Sequence, residues 1–338
     1  MDRNGPRAAP VVCLGEALAL VPDLAAGPGA ATAAGAEVNV ACGLAAAGVP
    51  VTWVGRLGAD GFGAVVRAQL DGRGVDTAGV QTDPSRPTGR YAKSVGAGVD
   101  GEPATRMHYL RAGSAASAMG PDFLGLPAVA RRLAAAPVVH VGGITAALSQ
   151  SCAAMMTTLL AAPRPGRLVF DVNWREQMWP AGDPAPVLRL AQRADVVLLG
   201  ADEARRVCGT DDPAALRRLL PAPELLVLKD GARRALAITR DGEVVSRPAL
   251  QVDVVEPVGA GDAFAAGLVT GLVRGEPLPR CLRRGHLGAA AVLTVATDSA
   301  PPLRGPLRGP LPESLLEATE REWSDVRVDA DGFREGVR

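Results

Sequence analysis

The chain has 338 residues, 48% of them apolar, which is enough to fill the core of one large α/β domain or two ordinary ones. Its 36 basic and 36 acidic residues cancel, so no overall field recruits nucleic acid or an acidic membrane surface. No run reaches the roughly 20 uninterrupted apolar residues that span a bilayer, and the five cysteines stand singly without a CxxC pair, as free thiols do in a reducing cytosol. Three widely separated histidines leave no zinc ligand set, so the expected partner is a small molecule and the expected compartment the cytoplasm.

The N-terminal segment MDRNGPRAAPVVCLGEALAL is broken by Gly15 and Glu16 and has no basic block followed by a cleavage site, so it reads as mature sequence. From there, short β-branched runs recur: VVCLG at 11–15, VTWVG at 51–55, VVHVG at 138–142, LVFDVN at 168–173, DVVLLG at 195–200 and LLVLKDG at 225–231. Stretches with helical spacing lie between most of them, such as 128–135 and 213–220. Apolar runs without alternation, separated by helices, predict a parallel sheet covered on both faces. Two segments depart from that rhythm. Residues 89–113 hold two extended stretches around a Gly/Asp-rich turn, which predicts a small antiparallel flap inserted as a lid, and 234–250 reads as a hairpin around Asp241-Gly242. After Ala300, Pro/Gly repeats prevent regular structure; a short amphipathic helix is expected near Pro312 and a polar, mobile final dozen residues.

The stretch Val258-Gly259-Ala260-Gly261-Asp262-Ala263-Phe264 places small residues where an apolar helix begins. Unpaired amides and the positive end of the helix dipole make such a start an anion hole, and glycine lets a phosphate approach closely. The motif has neither the GK[ST] of a Walker loop nor the spacing of a dinucleotide fingerprint. A carboxylate at this place has two readings. Asp262 is either the general base that takes the proton of an attacking hydroxyl, or an N-terminal cap beside glycines that serve tight packing.

These residues carry a resemblance. GAGDAFAAG at 259–267 resembles the C-terminal signature of the ribokinase (PfkB) family of carbohydrate kinases, and GAEVNVACGLAAAGVPVTWVGRLGADGFG at 35–63 its other signature region. The match spans approximately 11–303. YLRAGSAAS at 109–117, GGITAALS at 142–149 and FDVNWREQMW at 170–179 are similar to the sugar-acid branch of that family, the 2-keto-3-deoxygluconate kinases.

The resemblance implies a ribokinase-like three-layer α/β/α sandwich over 11–303 with a small β-rich lid from segments near 16–35 and 89–113, followed by a Pro/Gly-rich and polar tail at 304–338. It implies phosphorylation of a sugar-acid hydroxyl by ATP with Mg²⁺, most simply 2-keto-3-deoxygluconate to its 6-phosphate, with K⁺ as a candidate activator because some members respond to it. Asp262 is then the base, and the amides of Gly259, Ala260 and Gly261 hold the transferring phosphoryl group. Arg111 and Arg175 supply forks for the substrate carboxylate, or are solvated surface residues. Gly35 and Asn39 offer close backbone approach and a hydrogen bond to sugar hydroxyls, or simply start a helix. Tyr91 and Tyr109, the two tyrosines of the chain, pack on the sugar or on each other. Glu16 reads as a polar group at the pocket edge. Asn173, Lys229, Gly231 and His286 fall on the nucleotide side, with Lys229 equally readable as a surface charge and His286 as a structural residue. Glu203 is expected to reach the metal through water.

Three positions depart from the family pattern. Glu256 stands where Asp is usual, Gly200 replaces the Asn of NxxE while Glu203 is kept, and His286 replaces an Asn near the adenine. Two other functions stay open: a fructokinase- or ribokinase-like activity on a neutral sugar, in which Arg111 meets phosphate or a salt-bridge partner, and a catalytically silent sugar- or nucleotide-binding regulator. A dimer formed through the lid is expected from the unpaired edges of a two-stranded flap.

Overall fold

The strand Val11–Leu14 shows how the main sheet is built: Val12 and Leu14 enter one apolar cluster, Val11 and Cys13 the other, and all four are fully buried. A strand whose two faces both meet helices has no polar side, which is why these runs lack alternation. The structure is a computed structural model that describes residues 9–97, 103–179, 182–295 and 313–335. Its main sheet has eight strands in the order Val244–Pro248, Arg234–Thr239, Leu225–Asp230, Val196–Gly200, Arg167–Asp171, Val138–Gly142, Val11–Leu14 and Val51–Val54. The six strands from Leu225–Asp230 to Val51–Val54 are parallel and match the six apolar runs; the two outer ones are antiparallel and form the hairpin around Gly242. The fold is the expected ribokinase-like α/β sandwich, with the two apolar clusters on opposite faces of this sheet.

A second, four-stranded sheet joins the two segments assigned to the lid. Thr32–Ala34, Leu18–Val21, Gly89–Ala97 and Pro103–Leu110 pair in that order, the last two antiparallel. The turn expected between them, 98–102, lies outside the described residues. Among the described residues no helix is long and apolar enough to cross a membrane, and all five cysteines are free thiols.

The C-terminal segment corrects the expectation of a polar, mobile tail. Within 304–338, residues 304–312 and 336–338 are outside the described set, but 313–335 fold. A turn at Glu313–Glu317 and a helix at Glu320–Ser324, capped by Thr319, lead into the hairpin Val326–Asp329 and Gly332–Glu335, which adds to Gln251–Val252. Leu315, Leu316, Trp323, Val326, Val328 and Phe333 form a third apolar cluster with Leu287, Ala290 and Ala291 of the helix Leu278–Leu293. Trp323 is fully buried and donates its indole N–H to Pro248 O at 2.9 Å. The charged residues around these apolar positions hid a seam that exists only once the strand Gln251–Val252 lies beside it.

Candidate active site

A cleft of about 400 Å³ opens at the carboxyl ends of the parallel strands, where ligands bind in open α/β sheets. One side is the small sheet, another the helices Ala36–Ala46 and Ala260–Val273, and the floor is formed by strand ends.

At one end lies the glycine turn. Gly259 has φ +86°, a conformation that favours glycine, and the first helical hydrogen bond runs from Ala263 N to Gly259 O. The Gly261 and Asp262 amides precede that bond, as helix geometry requires. The Ala260 amide leans on Pro257 O at 3.4 Å, and Ala260 is not among the cleft-lining residues, unlike Gly259 and Gly261. Asp262 Oδ2 accepts a hydrogen bond from Asn39 Nδ2 at 2.9 Å, joining the two signature regions across 223 residues. Burial raises the Asp262 pKa to about 7; the Asn39 bond opposes the rise, Asp171 adds to it, and Lys229 and Arg175 oppose it.

The other end is built around two buried glutamates. Gly35, at φ +127°, opens the helix Ala36–Ala46, and a β-carbon there would stand 2.6 Å from Glu16 O. In the first turn of that helix, Glu37 is 1% exposed. Thr145 Oγ1 donates to Glu37 Oε1 at 2.9 Å while accepting the Glu16 amide at 3.2 Å, and Glu37 Oε2 is buried without a hydrogen-bond partner. Burial pushes the Glu37 carboxyl up to about 8, and Asp262 and Glu16 reinforce it. Glu16 is likewise pushed by burial to about 7, opposed by Arg111. Arg111 pairs with Glu16 at 3.4 Å, donates to Met178 Sδ at 3.2 Å and lies 4.1 Å above the Tyr109 ring. Tyr109 stacks on Tyr91 at 5.3 Å, so the two tyrosines line the cleft and also pack on each other.

The floor comes from three neighbouring strands. Asp171 ends Arg167–Asp171, and Lys229 Nζ reaches its Oδ2 at 2.8 Å. Burial lowers the Lys229 pKa, but the charges of Asp171, Glu203 and Asp262 outweigh this and hold it above its ordinary value, so Lys229 is no surface charge. Asn173, with φ +41°, is the one non-glycine residue at positive φ among the described residues. The chain turns there, and Trp174 N donates to Glu203 Oε1 at 2.9 Å while Gly200 N donates to Glu203 Oε2 at 2.8 Å. Arg175 stands 3.6 Å from Glu203 and donates to Trp174 O.

Gly35, Asn39, Tyr91, Tyr109, Arg111, Asn173, Arg175, Glu203, Lys229, Gly259, Gly261 and Asp262 thus meet in one cleft. Two residues expected on the nucleotide side do not line it. His286 is 6% exposed on the helix Leu278–Leu293, with Nε2 3.1 Å from Arg247 O and its ring edge-on to Phe264. Gly231, at φ +52°, serves the turn into Arg234–Thr239. Glu203, expected to reach a metal through water, is held at the cleft by two backbone amides, one on each oxygen. No cluster of three His, Cys, Asp or Glu side chains among the described residues forms a cage. Sequence reasoning missed Glu37 and Asp171. The available signals were a carboxylate in the first turn of an otherwise apolar helix and one ending an apolar strand.

A family model described as pfkB family carbohydrate kinase matches residues 12–303. The chain belongs to the pfkB family of carbohydrate kinases. Over 271 residues this kinase is 34% identical to the 2-dehydro-3-deoxygluconokinase of Thermoproteus tenax, covering 79% of this chain and 81% of that protein. It is 30% identical to fructokinase-1 of Zea mays, over 77% of this chain and 78% of the relative. A crystal structure of a PfkB protein from Polaromonas sp. JS666 superposes with a TM-score of 0.70 at 32% identity, covering 86% of this chain and 98% of that one.

Proposed function

We propose that this kinase uses ATP to phosphorylate a hydroxyl of a sugar acid, 2-dehydro-3-deoxygluconate (the 2-keto acid named above) or a close analogue, giving the 6-phosphate. The observation that carries the reading is Asp262 at the glycine-turn end of the cleft, its Oδ2 fixed by Asn39 at 2.9 Å, in the first turn of the helix that starts there. Oδ1 accepts the proton of the substrate hydroxyl, whose oxygen forms the new bond to the γ-phosphorus as the bond to the ADP oxygen breaks. The cleft-facing glycine-turn amides receive the charge on the phosphoryl oxygens. Glu203, fixed by the Trp174 and Gly200 amides, would reach a magnesium ion on the nucleotide through water, and Mg²⁺ would supply charge neutralisation at the phosphates. A base with a pKa near 7 is matched to neutral operation.

The relative at 34% identity supports the sugar-acid reading, as does Arg175, whose half-exposed side chain keeps donors for a carboxylate. A neutral-sugar reading has its own observation: Glu16 already pairs with Arg111, as a site without a substrate carboxylate would require. Leu110, 49% exposed on the edge strand Pro103–Leu110, supports a dimer formed through the small sheet of a cytosolic enzyme.

The test is ADP release with Mg-ATP against 2-dehydro-3-deoxygluconate, its galactonate epimer, gluconate, fructose and ribose, run beside Asp262→Asn. The keto-deoxy acid is expected to dominate, and the variant to lose about 10²–10⁴-fold in kcat. Preference for fructose or ribose sinks the sugar-acid reading but leaves the base; full activity of the variant sinks the base.

A further inference from the structure

Lys229 and Asp171 form a buried ion pair that this mechanism does not use. Their side chains are 17% and 5% exposed, Nζ lies 2.8 Å from Oδ2, and Asp171 Oδ1 is buried without a hydrogen-bond partner. A desolvated pair is costly to maintain and is weak support for stability by itself. Its place is informative. Nζ stands 3.6 Å from where a β-carbon on Gly261 would be, so the ammonium sits against the turn expected to receive phosphate. It reaches Asp171 by crossing the strand Val196–Gly200. Gly200 is the register partner of Lys229 and Leu198 that of Asp171, so all four share a face, and Gly200 leaves it unobstructed.

We propose that Lys229 is a catalytic residue whose ammonium contacts the phosphoryl group in flight beside Gly261, and that Asp171 is the positioning residue that aims it. The inference rests on the kinase reading above. The substrate oxygen gains the phosphoryl group, its proton goes to Asp262, ADP leaves with the electron pair of the broken bond, and Lys229 keeps its proton throughout. The nucleotide contributes an anion whose charge spreads over three oxygens in the transition state, and a fixed ammonium adds to what the amides offer. Lys229 and Asp171 also act on Asp262 in opposite senses: the cation favours its ionised form and the carboxylate disfavours it. The other groups facing Asp262 are Asn39, Arg175 and Glu37.

The experiment compares wild type, Lys229→Met and Asp171→Asn, each first shown to be folded by its melting curve. Calorimetry measures the affinity for ADP alone and for ADP with aluminium fluoride and the sugar that wild type turns over. Lys229→Met is expected to weaken the aluminium fluoride complex and kcat by about 10²–10³-fold, the loss seen on removing one preorganised donor. ADP affinity and the KM for sugar should change less than about 3-fold, since they report ground-state binding. Asp171→Asn should lose up to about 10²-fold in both sensitive quantities, the order of a misplaced catalytic group. The acid limb of kcat/KM should move to higher pH in Lys229→Met and to lower pH in Asp171→Asn. Equal losses of ADP and aluminium fluoride affinity, an unchanged aluminium fluoride complex, or limbs that move the same way overturn the proposal. If Lys229→Met does not fold, Lys229→Gln, which keeps a hydrogen bond to Asp171 but no charge, is expected to show the same selective loss, and its absence counts equally. Wild type that releases no ADP with any sugar removes the kinase reading and this inference together, whereas an active wild type with an unaffected Lys229 variant removes the inference alone.

Discussion

Glu37→Gln should stabilise the ligand-free enzyme, increasingly so as the pH rises from about 5 to about 8. The wild-type carboxyl is buried, accepts Thr145 Oγ1–H through Oε1 and leaves Oε2 without a partner. Burial raises its pKa from 4.5 to about 8, with Asp262 and Glu16 adding to the rise. In the unfolded chain the same group ionises near 4.5, so between these values the folded state holds a proton that the unfolded state has released. Its contribution is therefore fully present below about 4.5 and is lost as the pH rises through about 8. At 1.36 kcal/mol per pH unit that interval has a ceiling of about 5 kcal/mol. Glutamine has nearly the same shape, keeps the Thr145 bond and cannot ionise. Wild type and variant should melt within a degree or two of each other at pH 5, and the variant should be higher by up to about 10 °C at pH 8.5, given roughly 2 °C per kcal/mol for a chain of this size. Differential scanning calorimetry at half-unit steps from pH 5 to 9 reads this directly. Parallel melting curves across the range would refute the protonated assignment, and a variant less stable than wild type at pH 8.5 would mean that Glu37 is a stabilising carboxylate.

Two further outcomes test other parts of the structure. Gly35→Ala puts a β-carbon 2.6 Å from Glu16 O on a backbone at φ +127°; it should cost at least about 1–3 kcal/mol and raise the KM for sugar while leaving ADP affinity alone, and a melting point within 1 °C of wild type would contradict the close approach. Trp323→Ala removes a fully buried ring that bonds Pro248 O and carries the Arg283 guanidinium 5.0 Å above it, so the denaturation midpoint should fall by the equivalent of about 3–5 kcal/mol; a loss under 1 kcal/mol would mean that the C-terminal hairpin does not belong to the folded body.

What could be read from the chain depended on how locally each feature is encoded. Val11–Leu14 and Val196–Gly200 announce themselves because a strand covered on both faces is apolar at every residue, and the turn at Gly242 marks its own hairpin. The glycine turn at 259–261 is equally local, since the geometry of a helix start lies in three consecutive residues. Val326 and Val328 were illegible because a short alternating strand among charges gains meaning only beside Gln251–Val252. The same holds for charge partners. Nothing near Lys229 points to Asp171, 58 residues away, and nothing near Arg111 points to Glu16, because both pairings join segments that meet only in the folded chain. The contact of His286 Nε2 with Arg247 O, 39 residues away, was equally hidden from the chain.

Glu256 illustrates why a departure from a family pattern need not weaken a site. With one methylene more than aspartate, its carboxylate bonds in two directions. Oε1 accepts the Val258 amide at 3.2 Å, holding the approach to the glycine turn, while Oε2 meets Lys93 Nζ at 3.2 Å on the strand Gly89–Ala97 of the small sheet. Both side chains are largely buried, at 14% and 16% exposure, so solvent screens the pair less than an ion pair on the open surface. The shorter aspartate would bridge both partners at once less readily. Glu256 therefore links the wall that carries Tyr91 and Tyr109 to the turn that carries Gly259 and Gly261 through a single side chain.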